Sequence, residues 1–341
     1  MKLTSCLKHL TVVALTAGFF CAGNVQAAED HNFLLATAST GGTYYPVGVA
    51  LSTLTKVKLQ PSHKIGMSAI SSAGSGENIK LMRDNEVQFS ILQGLYGYYA
   101  WNGKGPLAQD GPQRDLRSIS MLWQNVEHFT LLTDKAKTGT IADMVDQKGG
   151  RMSLGTKNSG TLGSNEVILG NLGVNIEKDY DLVYVGYGPS CADALQNGQI
   201  VGMSTPAGVP ASAVTRALAS MGDKATLLSF TEEQVKQADG GLGLWTPYLI
   251  PATAYPGLKK DVLTIAQPNF LAVRADIDEE TVYLITKTIY ENLPFLNAIH
   301  KATMDMSADK ALAGLPMPLH PGAARYYREI GMSIPETLIV K

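Results

Sequence analysis

The chain is poor in residues that do chemistry. It has three cysteines in 341 residues, and two of them, Cys6 and Cys21, lie in the N-terminal apolar stretch. Beyond that stretch Cys191 stands alone, so no internal disulfide is expected, and Pro189-Ser190-Cys191-Ala192-Asp193 supplies no base of the kind a catalytic thiolate needs. We read it as packing at the start of a helix. The six histidines are scattered, with no His-Glu-x-x-His, no cysteine pair and no Asp-rich calcium loop, which argues against the common metal motifs. No Gly-x-Ser-x-Gly elbow is present: Gly74-Ser75-Gly76 has the glycines without the spacing. Nor does a Gly-Lys-Ser/Thr follow any glycine loop, as a phosphate-binding P-loop requires. Charge is sparse as well, at 17% of residues and a net −2. Without a basic stripe, that balance argues against nucleic acid and against an acidic membrane surface as partners. No apolar run reaches the roughly 20 residues that a membrane-spanning helix needs.

What is present begins with an export signature. Lys2 and Lys8 form a basic start, Leu10 to Phe20 is apolar, and Val25-Gln26-Ala27 supplies small residues for cleavage. Phe19 and Phe20 before Cys21 argue against a lipid anchor. We expect residues 1–27 to be a cleaved signal peptide and the rest to be exported, with no direct membrane insertion.

Three glycine- and hydroxyl-rich loops then stand out: Ser39-Thr-Gly-Gly-Thr-Tyr-Tyr-Pro-Val-Gly48, Ser71-Ser-Ala-Gly-Ser-Gly-Glu-Asn78 and Gly155-Thr-Lys-Asn-Ser-Gly-Thr-Leu-Gly163. Each follows a strand-like run and precedes a helix-like one. Such a loop leaves backbone N–H groups unpaired at the positive end of a helix dipole, a natural seat for an anion. Each also reads as a simple helix cap, since the same residue types are favoured there.

The strand–loop–helix grammar repeats. Strands are expected at 33–38, 64–70, 87–92, 118–122, 129–132, 151–154, 182–185, 200–203, 262–265 and 270–273. Helices are expected behind Pro46, at 77–85, 94–101, 141–147, after the third loop, near Asp193 and Ala213, and as one long helix over 279–297. This pattern predicts an α/β fold with largely parallel sheets. Asp239-Gly-Gly-Leu-Gly243 reads as a return linker. Two lobes are expected, one from 28–117 and 240–341 and the other from 118–239, facing each other across a ligand cleft with a hinge.

Candidate ligand-binding residues follow from these loops. Ser39, Thr40, Gly42, Thr43 and Tyr44 come from the first, with glycines for close backbone approach and hydroxyls as donors. Tyr44 and Tyr45 divide between a cleft wall and packing on the sheet, in an order the sequence leaves open. Ser72, Gly74 and Ser75 form the second cradle, with Asn78 as an alternative loop cap. Gln93 ends a strand where open α/β sheets gather ligands, or sits as a rim glutamine. The other lobe offers Ser159, Gly160 and Thr161, with Lys157 as a cation or a solvated surface lysine. Gly208 and Tyr248 complete the set, as cleft or turn and as wall or hinge respectively. No catalytic residue, metal ligand or cofactor is assigned. His320 in His-Pro-Gly reads as a helix start.

Read together, these segments resemble the TAXI family of extracytoplasmic solute receptors. The matches are Thr40 to Gly48, Ser71 to Asn78, Ile250-Pro-Ala-Thr-Ala-Tyr-Pro-Gly257, Glu280-Thr-Val-Tyr-Leu-Ile-Thr-Lys287 and Pro318 to Glu329. The resemblance implies a two-lobed periplasmic-binding-protein fold and a receptor that captures a glutamate-like amino acid or small dicarboxylate. It also implies delivery to the membrane subunits of a TRAP transporter. A periplasmic sensor or adaptor is the alternative, with an α/β enzyme behind it. Two positions depart from the family: Gly94 follows Gln93 where many members carry Asp, and Leu162 stands where many carry Arg.

Overall fold

A computed structural model describes residues 31–186 and 189–340; the expected signal peptide lies outside the described residues. The chain opens with β1 (His31–Ala36), α1 (Tyr44–His63), β2 (Ile65–Ile70), α2 (Ser75–Arg83), β3 (Phe89–Gln93) and α3 (Gly94–Asn102). Then come β4 (Leu116–Val126), β5 (Phe129–Leu132), α4 (Ala142–Val145), β6 (Arg151–Ser153), α5 (Gly160–Asn171) and α6 (Ile176–Asp179). The middle continues with β7 (Asp181–Leu182), α7 (Pro189–Gln196), β8 (Gly202–Ser204), α8 (Ser212–Met221), β9 (Ala225–Leu227) and α9 (Glu232–Asp239). The last part is β10 (Thr246–Ile250), β11 (Val262–Arg274), α10 (Glu279–Glu291), α11 (Leu293–Ile299) and α12 (Pro321–Glu329).

Two sheets result. The first runs β10-β11-β3-β1-β2, with β4 also paired to β11; the second runs β7-β6-β8-β5-β9. Parallel pairing joins β1 to β2 and β3, and β6 to β7 and β8. The expectation of largely parallel sheets needs correction, because β11 is antiparallel to β3, β4 and β10, and β5 is antiparallel to β8 and β9. β10 and β11 follow each other with no α-helix between them, so no crossover helix sets them parallel.

The two strands expected at 262–265 and 270–273 are one continuous β11. One edge of β11 pairs with β4 from Ala266 to Arg274, while the other pairs with β10 up to Ala266 and with β3 from Asn269. Pro268 sits at the change of partner, where its missing N–H costs no bond on that edge. The long helix expected over 279–297 is instead α10 and α11, broken at Asn292 because Pro294 falls in the first turn of the second. β9, α9 and β10 had no clear signal in the sequence.

Glu127 and His128 form the passage from β4 in one sheet to β5 in the other. The first sheet's core gathers Leu35, Leu51, Phe89, Trp123 and Ile285, and takes in Tyr326, Tyr327 and Leu338 of the C-terminal segment. Tyr327 donates its hydroxyl to Ile119 O at 3.0 Å, tying α12 to β4. His320 caps α12, its Nδ1 accepting from Gly322 N at 3.2 Å. Among the described residues no helix is long and apolar enough to cross a membrane.

Candidate functional site

Between the sheets lies a cavity enclosing about 810 Å3 counted out to its mouth. Its walls come from the loops after β1, β2 and β6, the ends of β3, β4 and β8, and the region around α7. The parallel strands β1, β2, β3, β6 and β8 direct their C-terminal ends towards it, the usual position of a ligand in open α/β sheets.

Two helix N-termini from opposite sheets meet here. Gly74 precedes α2 with φ +113°, and a β-carbon built on it would lie 3.8 Å from Gly160 N and 4.0 Å from Ser159 Cα. Gly160 is the first residue of α5. The first N–H groups of a helix have no intrahelical partner. In α5 the Leu162 N–H is taken by Ser159 Oγ at 3.1 Å, which leaves those of Gly160 and Thr161 without an intrahelical partner, and both residues line the cavity. A β-carbon on Gly76 would collide with Asn158, and one on Gly163 with Tyr96, so these glycines permit the close approach of α5 to α2 and α3.

A buried polar bridge backs this contact. Gln267 of β11 accepts from Leu95 N at 2.8 Å and donates to Ser164 Oγ at 3.0 Å, and Ser164 in turn donates to Gln93 Oε1 at 3.4 Å. Gln93 is buried, and its own N–H donates to Ser75 Oγ at 3.0 Å. Tyr96 adds a bond to Ser159 O at 3.4 Å. Thus the first sheet's elements are joined to α5 by neutral hydrogen bonds from Gln267 and Tyr96 and to Gln93, backed by bonds within the first sheet's own elements.

Of the residues picked from the sequence, Ser39, Gly42, Thr43, Tyr44, Gly74, Ser75, Gln93, Ser159, Gly160 and Thr161 line the cavity. Thr40, Ser72, Lys157, Gly208 and Tyr248 do not. Thr40 is exposed. Ser72 is spent on structure: its hydroxyl accepts from Gly74 N at 3.0 Å and lies 2.6 Å from Asn78 Oδ1. Asn78 is buried and donates to Thr37 O at 2.7 Å and Ile91 O at 3.0 Å, tying the loop to β3. Lys157 is exposed, with its ammonium 5.3 Å from the centre of the Tyr184 ring. Gly208 packs behind the wall, where a β-carbon would collide with Ala302 and lie 3.4 Å from Trp123 Nε1. Tyr248 sits on β10 against the second sheet's core.

Tyr44 forms wall, and Tyr45 is absent from the lining. The Tyr44 hydroxyl donates to Asn269 Oδ1 at 2.5 Å, and its ring stands edge-on to Trp123 at 5.7 Å. Burial pushes the Tyr44 phenol well up, so it stays neutral. Ser159 is chiefly a cap, since its hydroxyl also donates to Thr156 O at 2.7 Å. Leu162, at the position of the family arginine, packs against the second sheet's core and brings no charge.

Residues not anticipated include Trp123 and Asn125 of β4, Ser153, Cys191 and Ser204. A signal existed for β4: Trp123, Gln124 and Asn125 interrupt an apolar strand, and the two-residue period places Trp123 and Asn125 on one face. Ser153 and Ser204 end short parallel strands and carry no pattern of their own.

Among the described residues the lining has no Asp, Glu, Lys, Arg or His. Behind it lie two buried titratable groups. Glu127 accepts from Trp245 Nε1 at 3.3 Å, and burial raises its carboxyl to about 8 against the bonds from Trp245 and Gln267. His128 holds its Nδ1 proton on Val126 O at 2.8 Å, and its Nε2 accepts from the Tyr255 hydroxyl at 2.6 Å. Burial lowers the imidazole to about 4. Both are neutral at pH 7. The cavity walls therefore suit capture by hydrogen bonds and helix dipoles, without an acid–base pair at hand.

Comparison with solved structures finds distant likenesses. A protein of Bordetella bronchiseptica RB50 is 14% identical over 89% of this chain and 85% of its own, with a TM-score of 0.51. The alkanesulfonate-binding protein of Xanthomonas axonopodis pv. citri, bound to MOPS, is 14% identical over 89% and 92%, with a TM-score of 0.43. A Candida albicans protein with the generic periplasmic-binding-protein fold is 9% identical over 88% and 80%, at 0.48. At such identities the likeness speaks of the fold alone. The NMT1-like family matches residues 35–331, nearly the whole described chain, and the protein belongs to that family.

Proposed function

We propose that this protein is a periplasmic solute receptor of the TAXI type, which closes on a small carboxylate and delivers it to the membrane subunits of a TRAP transporter. The observation that carries the reading is the meeting of the α2 and α5 N-termini, from opposite sheets, at one uncharged cavity. Their free N–H groups and dipoles favour a single negative charge without any cationic side chain. The two lobes of the reading are 28–117 with 240–341 and 118–239, hinged where the chain passes between sheets, from β4 to β5 and from β9 through α9 to β10. Closure removes water, so hydrogen bonds to the ligand strengthen in the lower local dielectric. Micromolar capture needs about 8 kcal/mol, and several charge-assisted bonds of about 1.5–3 kcal/mol each supply much of it. The ligand-free and closed forms then differ in the surface they offer to a membrane partner.

The test is a thermal-shift and calorimetric screen of the chain without residues 1–27, stripped of carried-over ligand by unfolding and refolding. A panel of amino acids, mono- and dicarboxylates, keto acids and neutral sugars is expected to give stabilisation by carboxylates only. A ligand at 100 times its dissociation constant adds about 2.7 kcal/mol. Stabilisation by neutral sugars with none by acids would overturn the reading.

A further inference from the structure

A second groove, of about 1090 Å3 counted out to its mouth, lies at the other end of α3 and β4 from the ligand cavity. Trp101 in the last turn of α3, Arg114 and Arg117 at the start of β4, and Glu336, Ile339 and Val340 near the C-terminus line it. Gln93, just before α3, and Trp123 and Asn125, late in β4, line the ligand cavity instead. The ligand cavity is shared between the two sheets, whereas the groove is built on the first sheet and its cores alone.

Two arginines converge on one ring in this groove. The guanidinium of Arg114 lies 4.2 Å from the centre of the Trp101 ring, and that of Arg117 lies 5.7 Å from it. Arg117 is held in place, its Nη1 donating to Arg114 O at 2.5 Å and to Leu116 O at 2.8 Å. Its remaining N–H groups, and all those of the Arg114 side chain, make no hydrogen bond among the described residues. Elsewhere Arg83, Arg151, Arg216, Arg274 and Arg325 each hold a carboxylate in an ion pair. Among the described residues neither Arg114 nor Arg117 has a carboxylate oxygen within 4.0 Å, although Asp115 stands between them in sequence and Glu336 shares the lining.

A cation on an exposed aromatic face gains about 0.5–1 kcal/mol, and gathering a second like charge on the same ring costs part of that gain. Burial also pulls the Arg117 guanidinium below its ordinary value, against the pull of Asp115. A carboxylate that reaches the pair relieves the repulsion and meets forked donors already oriented by the ring and by the backbone. Beside the charges the surface is apolar. Leu338 is buried in the first core and its carbonyl accepts from Leu319 N at 2.9 Å, which fixes the segment and leaves Ile339 and Val340 each 41% exposed. Tryptophan, arginine and a dry aliphatic rim are the usual centre of a protein–protein contact. Two cations stand against the one carboxylate of Glu336 in the lining, a balance that suits a segment with few carboxylates and not a polyanion. A small free acid would leave the aliphatic rim uncovered. We infer that this groove docks an acidic segment of a protein partner, with its carboxylates on Arg114 and Arg117 and its apolar residues on Ile339 and Val340. Because the groove belongs to one sheet, this docking does not depend on whether the ligand cavity is filled.

Fluorescence anisotropy on the chain without residues 1–27 tests this with short labelled peptides of alanine, leucine and serine that carry glutamate, glutamine or lysine at the same positions. The glutamate peptide is expected to bind at least about tenfold more tightly than the other two, and to weaken as salt rises. Arg114→Gln, which removes a guanidinium that makes no hydrogen bond, is expected to cut that binding several-fold and to leave the melting temperature in place. Ile339→Ser is expected to weaken binding while keeping the preference for glutamate. No binding of the glutamate peptide, or equal binding of the glutamine peptide, would overturn the inference, as would an unchanged affinity in the folded Arg114→Gln variant. Displacement of the peptide by acetate at about 1 mM would make the groove a small-anion site and overturn it too. None of these outcomes bears on the ligand cavity, whose carboxylate reading is decided separately by the thermal shifts of the stripped protein.

Discussion

The side chain of Gln93 occupies the space that a β-carbon on Gly160 would need. Gln93 ends a strand of the first sheet and Gly160 begins a helix over the second, so the fit of these two residues decides how closely the two sides approach.

Gly160→Ala is therefore expected to hold the sides apart. Alanine in a helix is ordinarily better than glycine by about 1 kcal/mol, so a stabilising change would show that the contact does not matter. We expect a net loss of about 1–3 kcal/mol from overpacking, weaker ligand binding and a larger radius of gyration by small-angle scattering.

Ser159 and Thr161 should separate cap from site. Ser159→Ala removes the bond to Leu162 N and is expected to cost about 1 kcal/mol of stability. Thr161 lines the cavity without capping the helix. Its replacement by Ala is expected to leave the melting temperature in place and to weaken binding by up to about tenfold. Denaturant titration and calorimetry on both variants distinguish the two roles.

Lys157 offers a contrast, since it is exposed and its ammonium faces Tyr184. Lys157→Ala is expected to change affinity by less than about twofold, with the remaining effect fading as salt rises. A large, salt-resistant loss in calorimetry would place the ammonium on the ligand.

Glu127 and His128 make opposite contributions to stability against pH. The His128 value of about 4 lies below that of the unfolded chain, so its contribution is present above the unfolded value and is lost as pH falls towards 4. The Glu127 value of about 8 lies above that of the unfolded chain. Between the two values the folded state holds the extra proton, so the Glu127 contribution falls as pH rises towards 8. The two oppose each other in the acid range, and only the Glu127 loss remains above the ordinary histidine value. Melting temperature is expected to be nearly level between about pH 4.5 and 6.5 and to decline from there to about pH 8, with Glu127→Gln flattening that decline. An unchanged decline in the variant would remove Glu127 as its source.

Much of this was legible in the residues because it is local. Ser159 caps α5 and His320 caps α12 by bonds within three residues, and the apolar runs that became β1, β2, β3 and β5 read directly. Helix breaks were harder: Pro294 was visible, yet the run of Val282, Ile285, Ile289 and Leu293 suggested continuity across it. β11 was missed as one strand because its continuity past Pro268 depends on a change of neighbour, and no window of sequence contains that.

The sequence by itself determined which segments could form strands and helices, where glycine had to stand, and that few charged groups were available for a site. It determined these because capping, turn geometry and periodicity act over a few residues. Only the tertiary structure decided that Lys157 stays in solvent, that Ser72 is consumed by its own loop, and that Trp123, Asn125 and Ser204 share a wall with Gly160. Those outcomes depend on which strands lie side by side and how much water is excluded between them, which are properties of the assembled chain.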